Sequence, residues 1–329
     1  SNKGIELSLT GYIIETNDFS LNATFNIGHN KNKIDKLSSG ENEWILSSGW
    51  AGTQLLNTDD YRARVGGTSG LIYGFVNDGF YTMNDFESFD STARTWKLKD
   101  GVVDSSPLSG TPRPGNAKFK KLTPVDENSA NPYQITDDDR TVIGETTPKF
   151  SGGFGLNATY KGFDLSMFFN FMYGFDVYNA NKIMMTTWYD NSGNNLSMDV
   201  ASDKRWRNFD DMGNEIRYNP EALAKFNENA TMWNPTSIGR PIAMSYAIED
   251  GSFLRLNTLT LGYTLPQAWT RKAGLNKVRF YMSGYNLWTI TGYSGYDPEV
   301  NIATGLTPNI DHDAYPRSRT YTFGVQLTF

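Results

Sequence analysis

The chain has 329 residues, a formal net charge of −6 and no cysteine; 14% of its residues are aromatic and only 20% are charged. So many aromatic side chains exclude a disordered chain, and the lack of cysteine excludes disulfide scaffolds and cysteine-ligated zinc sites. The acidic balance offers no basic excess for a nucleic-acid partner. A mean hydropathy of −0.50 without a long apolar run excludes a helical membrane protein, but is compatible with a β-barrel, in which lipid-facing residues alternate with polar ones.

The first segment alternates between apolar and polar residues as a strand does. Apolar residues recur at every second position from Ile5, a turn is expected near residues 16–18, and a second series returns from Phe19 to Ile27. The first residues have no initiator Met, basic region or apolar region of the kind that a secreted precursor carries. We therefore expect a hairpin here, and interpret the chain as the C-terminal piece of a longer protein.

A second hairpin is predicted near the middle of the chain. Residues 150–160 and 163–175 alternate in the same way on either side of Lys161 and Gly162. Each run meets the length of about 9–11 residues that a tilted strand needs to cross a bilayer. Between residues 69 and 146 the pattern is weaker, and it indicates a strand or two without fixing their positions.

The last part of the chain contributes strands at 258–265, 277–290 and 320–329. In the final strand the apolar residues alternate with polar ones and resemble the insertion signal of bacterial outer-membrane barrels; they are Tyr321, Phe323, Val325, Leu327 and Phe329. A half-buried strand of a soluble sandwich has a similar alternation. Charges are scarce within the strands and the second face carries small polar residues, which favours a wet lumen, and so a transmembrane sheet, over a sandwich.

The connections differ strongly in length. Those at 15–18, 161–162 and 266–276 are short, whereas long polar connections are expected at about 31–68, 177–249 and 292–316. Outer-membrane barrels have short periplasmic turns and long external loops, so the long connections are interpreted as external. This arrangement gives an odd set of about nine strands, whereas bacterial single-chain barrels have even counts. The sequence therefore predicts an all-β fold, in which residues 1–329 form a C-terminal part of a transmembrane antiparallel barrel.

Several segments in collinear order resemble the SusC/RagA family of TonB-dependent transporters. Residues 249–256 read EDGSFLRL, 259–266 read LTLGYTLP and 291–299 read TGYSGYDPE. Further matches are NKGIEL at 2–7, DRTVIG at 139–144 and YKGFDL at 160–165. The resemblance spans almost the whole chain and corresponds to the C-terminal part of such a transporter, without its N-terminal plug.

The resemblance implies a location and partners. It implies a multi-pass protein of the bacterial outer membrane, with a barrel of about 22 strands and a plugged lumen. It also implies contact with membrane lipid, with the rest of the same transporter, with a SusD-like surface lipoprotein over the long loops, and with the TonB complex through the N-terminal part. The expected cargo is a large nutrient, an oligosaccharide or a peptide.

Catalytic and metal-binding signatures are weak. Asp137, Asp138 and Asp139 precede Arg140, but the glycine that a calcium loop requires is missing, so a solvated turn paired with Arg140 is expected. His312 lies between two aspartates in a polar loop and is interpreted as solvated. No nucleophile elbow or P-loop occurs. We therefore predict no metal, no cofactor and no enzymatic activity.

Aromatic residues in the long connections are the candidates for ligand recognition. Their rings could stack on a sugar or peptide while neighbouring amides and carboxylates fix its orientation. The alternative is that the rings belong to the interfacial girdle or pack the loops themselves. The candidates are Trp188, Tyr189, Trp206, Trp233, Tyr293 and Tyr296.

Three functions are compatible with these patterns. The leading hypothesis is a part of a TonB-dependent transporter that imports large nutrients together with a SusD-like lipoprotein. The second is a passive porin or adhesin barrel, which would have no plug or TonB-contacting segment. The third is a secreted glycan-binding β-sandwich, which would fold in water without detergent.

Overall fold

A computed structural model describes residues 1–38, 40–57, 59–188, 195–300 and 305–329. In chain order its strands are β1 Asn2–Glu15, β2 Phe19–Asn32, β3 Glu43–Leu46, β4 Tyr61–Arg64, β5 Leu71–Gly74, β6 Asn77–Phe80, β7 Phe86–Asp90, β8 Thr95–Leu98, β9 Ala117–Phe119, β10 Thr141–Glu145, β11 Phe150–Tyr160, β12 Phe163–Tyr173, β13 Asp176–Asn179, β14 Ile248–Asp250, β15 Phe253–Thr264, β16 Lys277–Thr291, β17 Ile310–Asp311 and β18 Thr320–Thr328. The α-helices are α1 Ser106–Ser109, α2 Ala180–Thr186, α3 Pro220–Phe226 and α4 Gln267–Thr270. Short 3₁₀ turns are Gly52–Gln54, Met83–Asp85, Asp137–Asp139, Met198–Val200, Pro235–Ser237, Ser245–Ala247 and Arg271–Ala273.

The largest element is a seven-stranded antiparallel sheet in the order β1-β2-β11-β12-β15-β16-β18. We call it the wall sheet. Its strands are 9 to 15 residues long, which exceeds the usual strand of about five or six residues. The three hairpin connections within it are the short ones that the sequence predicts, at 16–18, 161–162 and 265–276.

The register places apolar residues opposite apolar residues across the wall sheet. Phe154 faces Phe25 on one side and Phe169 on the other, and Phe280 faces Tyr263 and Val325. The Phe154 and Phe169 rings stack with their centroids 4.5 Å apart. Because successive side chains point to opposite faces, this pairing collects the apolar residues on one face of the sheet.

A bulge keeps the apolar residues of β15 on that face. Leu254 and Leu256 lie at even positions, whereas Leu259 and Leu261 lie at odd positions. The pairing of β15 with β16 shifts between Leu256 and Thr258, and the pairing with β12 shifts at the same level. An extra residue in a strand reverses the side-chain alternation, so the change of sequence period and the bulge compensate each other.

The second face of the wall sheet is lined by polar pairs. The Ser20 and Thr159 hydroxyls lie 2.6 Å apart, and the Thr260 and Ser283 hydroxyls lie 2.8 Å apart. The Asn157 amide donates to the Asn22 side-chain oxygen at 3.1 Å. These cross-strand pairs satisfy the polar groups without an apolar core on this side.

The strand count differs from the sequence prediction. Seven strands form the wall sheet, not about nine, because residues 69–146 add none to it. That region instead contains β5 to β10, each three to five residues long, in separate small sheets. The connection expected to end near residue 68 continues to residue 149, while the other two long connections occupy residues 174–252 and 292–319.

The three long connections fold together into what we call the loop body. Its buried core draws residues from all three connections, among them Tyr61, Phe75, Phe119, Tyr178, Trp233 and Ile310. The Trp50 Nε1–H donates to the Tyr178 hydroxyl at 3.1 Å, and the two rings pack edge to face with centroids 6.0 Å apart. Burying each large apolar side chain contributes about 1.5–3 kcal/mol. Within the described part of the chain, no helix has the length and apolar character to cross a bilayer.

Candidate functional site

Arg255, within the EDGSFLRL segment, fixes the last long connection over the polar face of the wall sheet. Arg255 is 3% exposed, and its guanidinium lies 2.6 Å from the Asp297 carboxylate and 3.0 Å from the Glu299 carboxylate. Arg317 adds a second cation 3.1 Å from Glu299. Two segments that resemble the transporter family thus form one buried ion cluster, whose role is to hold the loop body in place.

Arg279 and Asp164 form a second ion pair, on the polar face of the wall sheet. Arg279 donates from Nε and Nη2 to the two carboxylate oxygens of Asp164 at 2.8 and 2.5 Å. The pair spans β12 and β16 and passes over Gly262 of β15, where an added Cβ would lie 2.5 Å from both partners. Gly262 therefore leaves the space that this bidentate pair occupies.

One cleft of the loop body has a volume of about 520 Å³ and is lined by two of the predicted aromatic residues, Trp188 and Trp206. Trp188 is 42% exposed, whereas Trp206 is 3% exposed and packs with Ile216 and Leu223 beneath the cleft. The lining also carries Arg205, Arg207, Asn208, Phe209, Asp210, Arg217 and Asn234. Aromatic, amide and guanidinium groups therefore meet in one open concavity, as in sites that bind polar ligands.

Hydrogen bonds between distant segments position the cleft walls. The backbone N–H of Trp188 donates to the Pro235 carbonyl and that of Trp206 donates to the Met232 carbonyl, both at 2.8 Å. The Asn227 side chain accepts from the Arg207 N–H at 2.6 Å and donates to the Arg207 carbonyl at 2.9 Å. These bonds fix the Arg205–Arg207 segment against the neighbouring chain.

Asp210 at the edge of this cleft is held in its charged form. Its carboxylate accepts hydrogen bonds from the Asn214 side chain at 2.9 Å and from the backbone N–H groups of Asn214 and Met212 at 2.8 and 2.9 Å. The bond from the Asn214 side chain, followed by those from the backbone, lowers the pKa of Asp210. The Asp210 carboxylate therefore mainly stabilises the turn at residues 210–214 through these hydrogen bonds.

Tyr296 lies in a second cavity, of about 400 Å³, between α2 and the last long connection. Tyr296 is 82% exposed, and the surrounding polar residues include Asn179, Lys182 and Asp311. Burial raises the pKa of Asp311, and its carboxylate accepts a hydrogen bond from the Tyr293 hydroxyl at 2.7 Å. This cavity offers one exposed ring and mixed charges.

Two further predicted aromatic residues, Trp233 and Tyr293, serve as packing. Trp233 is 2% exposed and contacts the Tyr246 ring at a centroid distance of 4.7 Å, and Tyr293 is 5% exposed within a small core with Phe175 and Phe253. Tyr189 lies outside the described residues. The structure therefore brings Trp188 and Trp206 together, places Tyr296 elsewhere, and assigns Trp233 and Tyr293 to the protein interior.

The residues predicted as the insertion signal lie on β18 and just beyond it, at the edge of the wall sheet. They share the apolar face and are exposed, by 57% for Tyr321, 75% for Phe323, 55% for Val325, 49% for Leu327 and 83% for Phe329. An apolar row of this kind on an open face needs a nonaqueous neighbour.

The acidic run and the histidine have structural partners. Arg140 pairs with Asp137 at 2.8 Å, as expected, but Asp139 is buried and accepts from the backbone N–H groups of Leu122 and Thr123. These and further bonds lower the pKa of Asp139 to about 2 against the opposing effect of its burial. Among the described residues no group of three or more acidic or histidine side chains has the arrangement of a metal site.

His312 is not the solvated loop residue that the sequence analysis expected. Its Nε2 lies 2.9 Å from the Met184 sulfur, and its ring packs against Trp50 with centroids 5.4 Å apart. The core of the loop body extends to this position, so the imidazole is partly covered.

The arginines of the cleft were not predicted from the sequence. Arg205, Arg207 and Arg217 line it together with Trp188 and Trp206. The signal was available in the order Arg205-Trp206-Arg207, where an aromatic ring is flanked by two planar cations. Arg217 has no comparable local signal, since the fold brings it to the cleft.

A bilayer-length antiparallel sheet with one apolar and one polar face, topped by long folded connections, defines a part of a large transmembrane β-barrel. In a comparison of folds, the chain aligns over its whole length with 29% of a chain in the structure of the RagAB peptide transporter, with a TM-score of 0.66 and 24% identity. The RagAB peptide importer in its open-open state gives a TM-score of 0.64. The predicted fold class is thereby confirmed.

Comparison with characterised sequences leads to the same type of protein. The whole chain is 31% identical to TonB-dependent receptor P3 of Formosa agariphila, covering 28% of that protein, and 23% identical to TonB-dependent receptor SusC of Bacteroides thetaiotaomicron, covering 26%. The chain thus spans less than a third of the length of these relatives. No family model matches the chain. These likenesses confirm the resemblance to TonB-dependent transporters of the SusC/RagA type.

Proposed function

We propose that the chain forms part of an outer-membrane transporter that imports large nutrients, oligosaccharides or peptides, with energy relayed by TonB. The observation that carries this proposal is the two-faced wall sheet, whose apolar face is exposed and whose other face carries polar pairs. Its resemblance over the whole chain to TonB-dependent receptors supports active import over passive diffusion. Transport, without catalysis, is the proposed activity.

The loop body is the proposed recognition surface. The long connections of an outer-membrane barrel face the exterior, so the cleft between Trp188 and Trp206 would meet the nutrient first. By resemblance to the SusC/RagA type, a SusD-like surface lipoprotein would cover this side, and the TonB complex would act through the rest of the same transporter. The apolar row that includes Phe323 would contact membrane lipid.

Uptake by the full-length protein in its own host tests this proposal. Deletion of the gene should abolish growth on the imported oligosaccharide or peptide, and loss of TonB should have the same effect. Uptake that persists without TonB would establish a passive barrel, and recovery of the full-length protein in the soluble fraction would exclude a membrane role altogether.

A matched pair of variants tests the recognition surface. Trp188→Ala removes the exposed ring of the cleft and should weaken substrate binding several-fold, since ring stacking contributes about 0.5–1.5 kcal/mol beyond area burial. Trp269→Ala removes a ring that is 63% exposed in the short 265–276 connection, at the opposite end of the wall sheet, and should leave binding unchanged. Equal binding by both variants and the unmodified protein would show that the nutrient binds outside the cleft.

A further inference from the structure

The cleft that contains Trp188 and Trp206 has an excess of cationic side chains. Three guanidinium groups line it, from Arg205, Arg207 and Arg217, against one lining carboxylate, Asp210, in a chain whose overall net charge is −6. Several guanidinium groups that face one cleft favour the binding of anions there.

Two carboxylates outside the lining, Asp211 and Glu215, form pairs with these arginines that a bound anion could replace. Arg207 Nη1 lies 2.6 Å from Asp211, but the Asp211 side chain is 75% exposed, and such surface pairs contribute little. Arg217 Nε is 3.4 Å from Glu215 and makes no hydrogen bond there, although the Nε atom is buried. Among the described residues no carboxylate pairs with Arg205, whose Nη1 donates to the Val200 carbonyl at 2.9 Å.

A second group of cations lies behind Arg217. The Arg94 and Arg217 guanidiniums stand over the same Tyr218 ring, 5.0 and 5.9 Å from its centroid. Burial, and next the nearby charge of Arg217, lower the pKa of Arg113. Like charges held this close repel one another, and an anion placed among them would relieve that repulsion.

The form of the cleft favours a sugar over an extended peptide. An extended peptide is commonly bound by pairing with an open strand edge, which supplies backbone hydrogen bonds. Here the lining backbone N–H groups of Trp188, Trp206 and Arg207 are already bonded within the protein. These three N–H groups are therefore not free to pair with a peptide strand, whereas the exposed Trp188 ring and the planar guanidiniums match the ring face and the charged substituent of an acidic sugar.

We infer that the cleft that contains Trp188 binds acidic oligosaccharides, with the Trp188 ring stacking on a sugar and Arg207 and Arg217 contacting sulfate or carboxylate groups. This inference rests on the proposed function and specifies its substrate class. Arginine suits this role because its fork of N–H donors matches both anions bidentately.

Calorimetry with the full-length transporter in detergent tests the inference. The probes are tetragalacturonate, a κ-carrageenan tetrasaccharide, neutral cellotetraose and a tetra-aspartate peptide. We expect at least one acidic sugar to bind at least tenfold more tightly than cellotetraose, and its affinity to fall as salt is raised. Comparable affinity for cellotetraose, or tighter binding of tetra-aspartate than of both acidic sugars, would overturn the inference.

Variants test whether Arg207 and Arg217 contact the acidic groups of the sugar. Arg217→Gln and Arg207→Gln should each weaken binding of the preferred acidic sugar about tenfold or more, and Arg217→Lys should retain part of it. Arg271→Gln, in the short 265–276 connection, removes the same charge far from the cleft and should have no effect. Heat-dependent gel mobility confirms that each variant is folded, and unchanged affinity in both Gln variants would overturn the assignment.

Uptake distinguishes this inference from the proposed function. If import remains TonB-dependent while acidic and neutral sugars compete equally for it, the transporter function stands and the acidic specificity fails. If no probe is imported and loss of TonB changes nothing, the proposed function itself fails.

Discussion

Individual buried charges show how the loop body is stabilised. Asp60 is fully buried, and its carboxylate accepts hydrogen bonds from the Ser48 backbone N–H at 2.7 Å and the Ser48 hydroxyl at 2.6 Å. Burial raises the pKa of Asp60 to about 6 although both bonds from Ser48 act in the opposite direction. Burial without a cationic partner therefore favours the neutral form of Asp60 more than water does.

The raised pKa of Asp60 predicts a pH dependence of stability. Since the folded state holds the proton more tightly than the unfolded state, the stabilising contribution is full below the unfolded pKa of 3.8 and is lost as the pH rises through about 6. The shift corresponds to about 3 kcal/mol. Thermal unfolding of the full-length protein, followed by tryptophan fluorescence between pH 4 and 7, measures this change.

Asp60→Asn is the matched control for that experiment. The amide keeps an acceptor for the Ser48 N–H and presents a donor to its hydroxyl, so the local geometry is preserved while the titration is removed. The variant should lose the Asp60 component of the pH dependence. Identical pH profiles of the variant and the unmodified protein would contradict the assignment to Asp60.

At the scale of elements, the packing of the wall sheet depends on where its strands carry glycine. Gly262 of β15 lies beneath the Asp164–Arg279 pair and allows β12 and β16 to be joined across it. Gly11 of β1, in contrast, has open space where a Cβ would lie. The same residue type thus has different consequences in two strands of one sheet.

We expect Gly262→Ala to destabilise the wall sheet by about 1–3 kcal/mol, because the added Cβ displaces the ion pair. Gly11→Ala should be neutral or slightly stabilising, since it adds no clash and reduces the freedom of the unfolded chain. The temperature at which the full-length barrel loses its compact gel mobility compares the two. A larger effect from Gly11→Ala would contradict this account.

The two faces of β18 also predict different tolerance for charge. Phe323→Lys places a cation on the apolar face and should cost about 2–4 kcal/mol near the middle of a bilayer. Thr322→Lys places the same charge on the polar face, opposite Ser283, and should be tolerated. The yield of folded barrel in outer-membrane fractions measures both, and equal yields would contradict a lipid-facing row.

At the scale of the whole molecule, the loop body and the wall sheet differ in whether they bury their apolar side chains. The loop body has its own core, whereas the wall sheet leaves its apolar face exposed and has β1 and β18 at its edges. On that apolar face, Ile5 and Leu9 of β1 are 77% and 56% exposed. Exposed strand edges with apolar side chains promote association between sheets.

Residues 1–329 expressed alone should therefore aggregate in water and require detergent to remain dispersed. Sedimentation with and without detergent measures this, and the separately expressed full-length protein serves as the reference. A monodisperse, folded species in water would instead support the secreted glycan-binding sandwich.

The sequence by itself determined the wall sheet and its family resemblance, because a period of two residues depends only on local order along each strand. It also predicted the short hairpins and the apolar row from Tyr321 to Phe329. It did not determine the strand count, since the weak alternation between residues 69 and 146 does not show which sheet the short strands β5 to β10 join. Arg217, Trp233 and Tyr293 could be assigned only from the tertiary structure: burial and the approach of distant connections depend on contacts that no local pattern records.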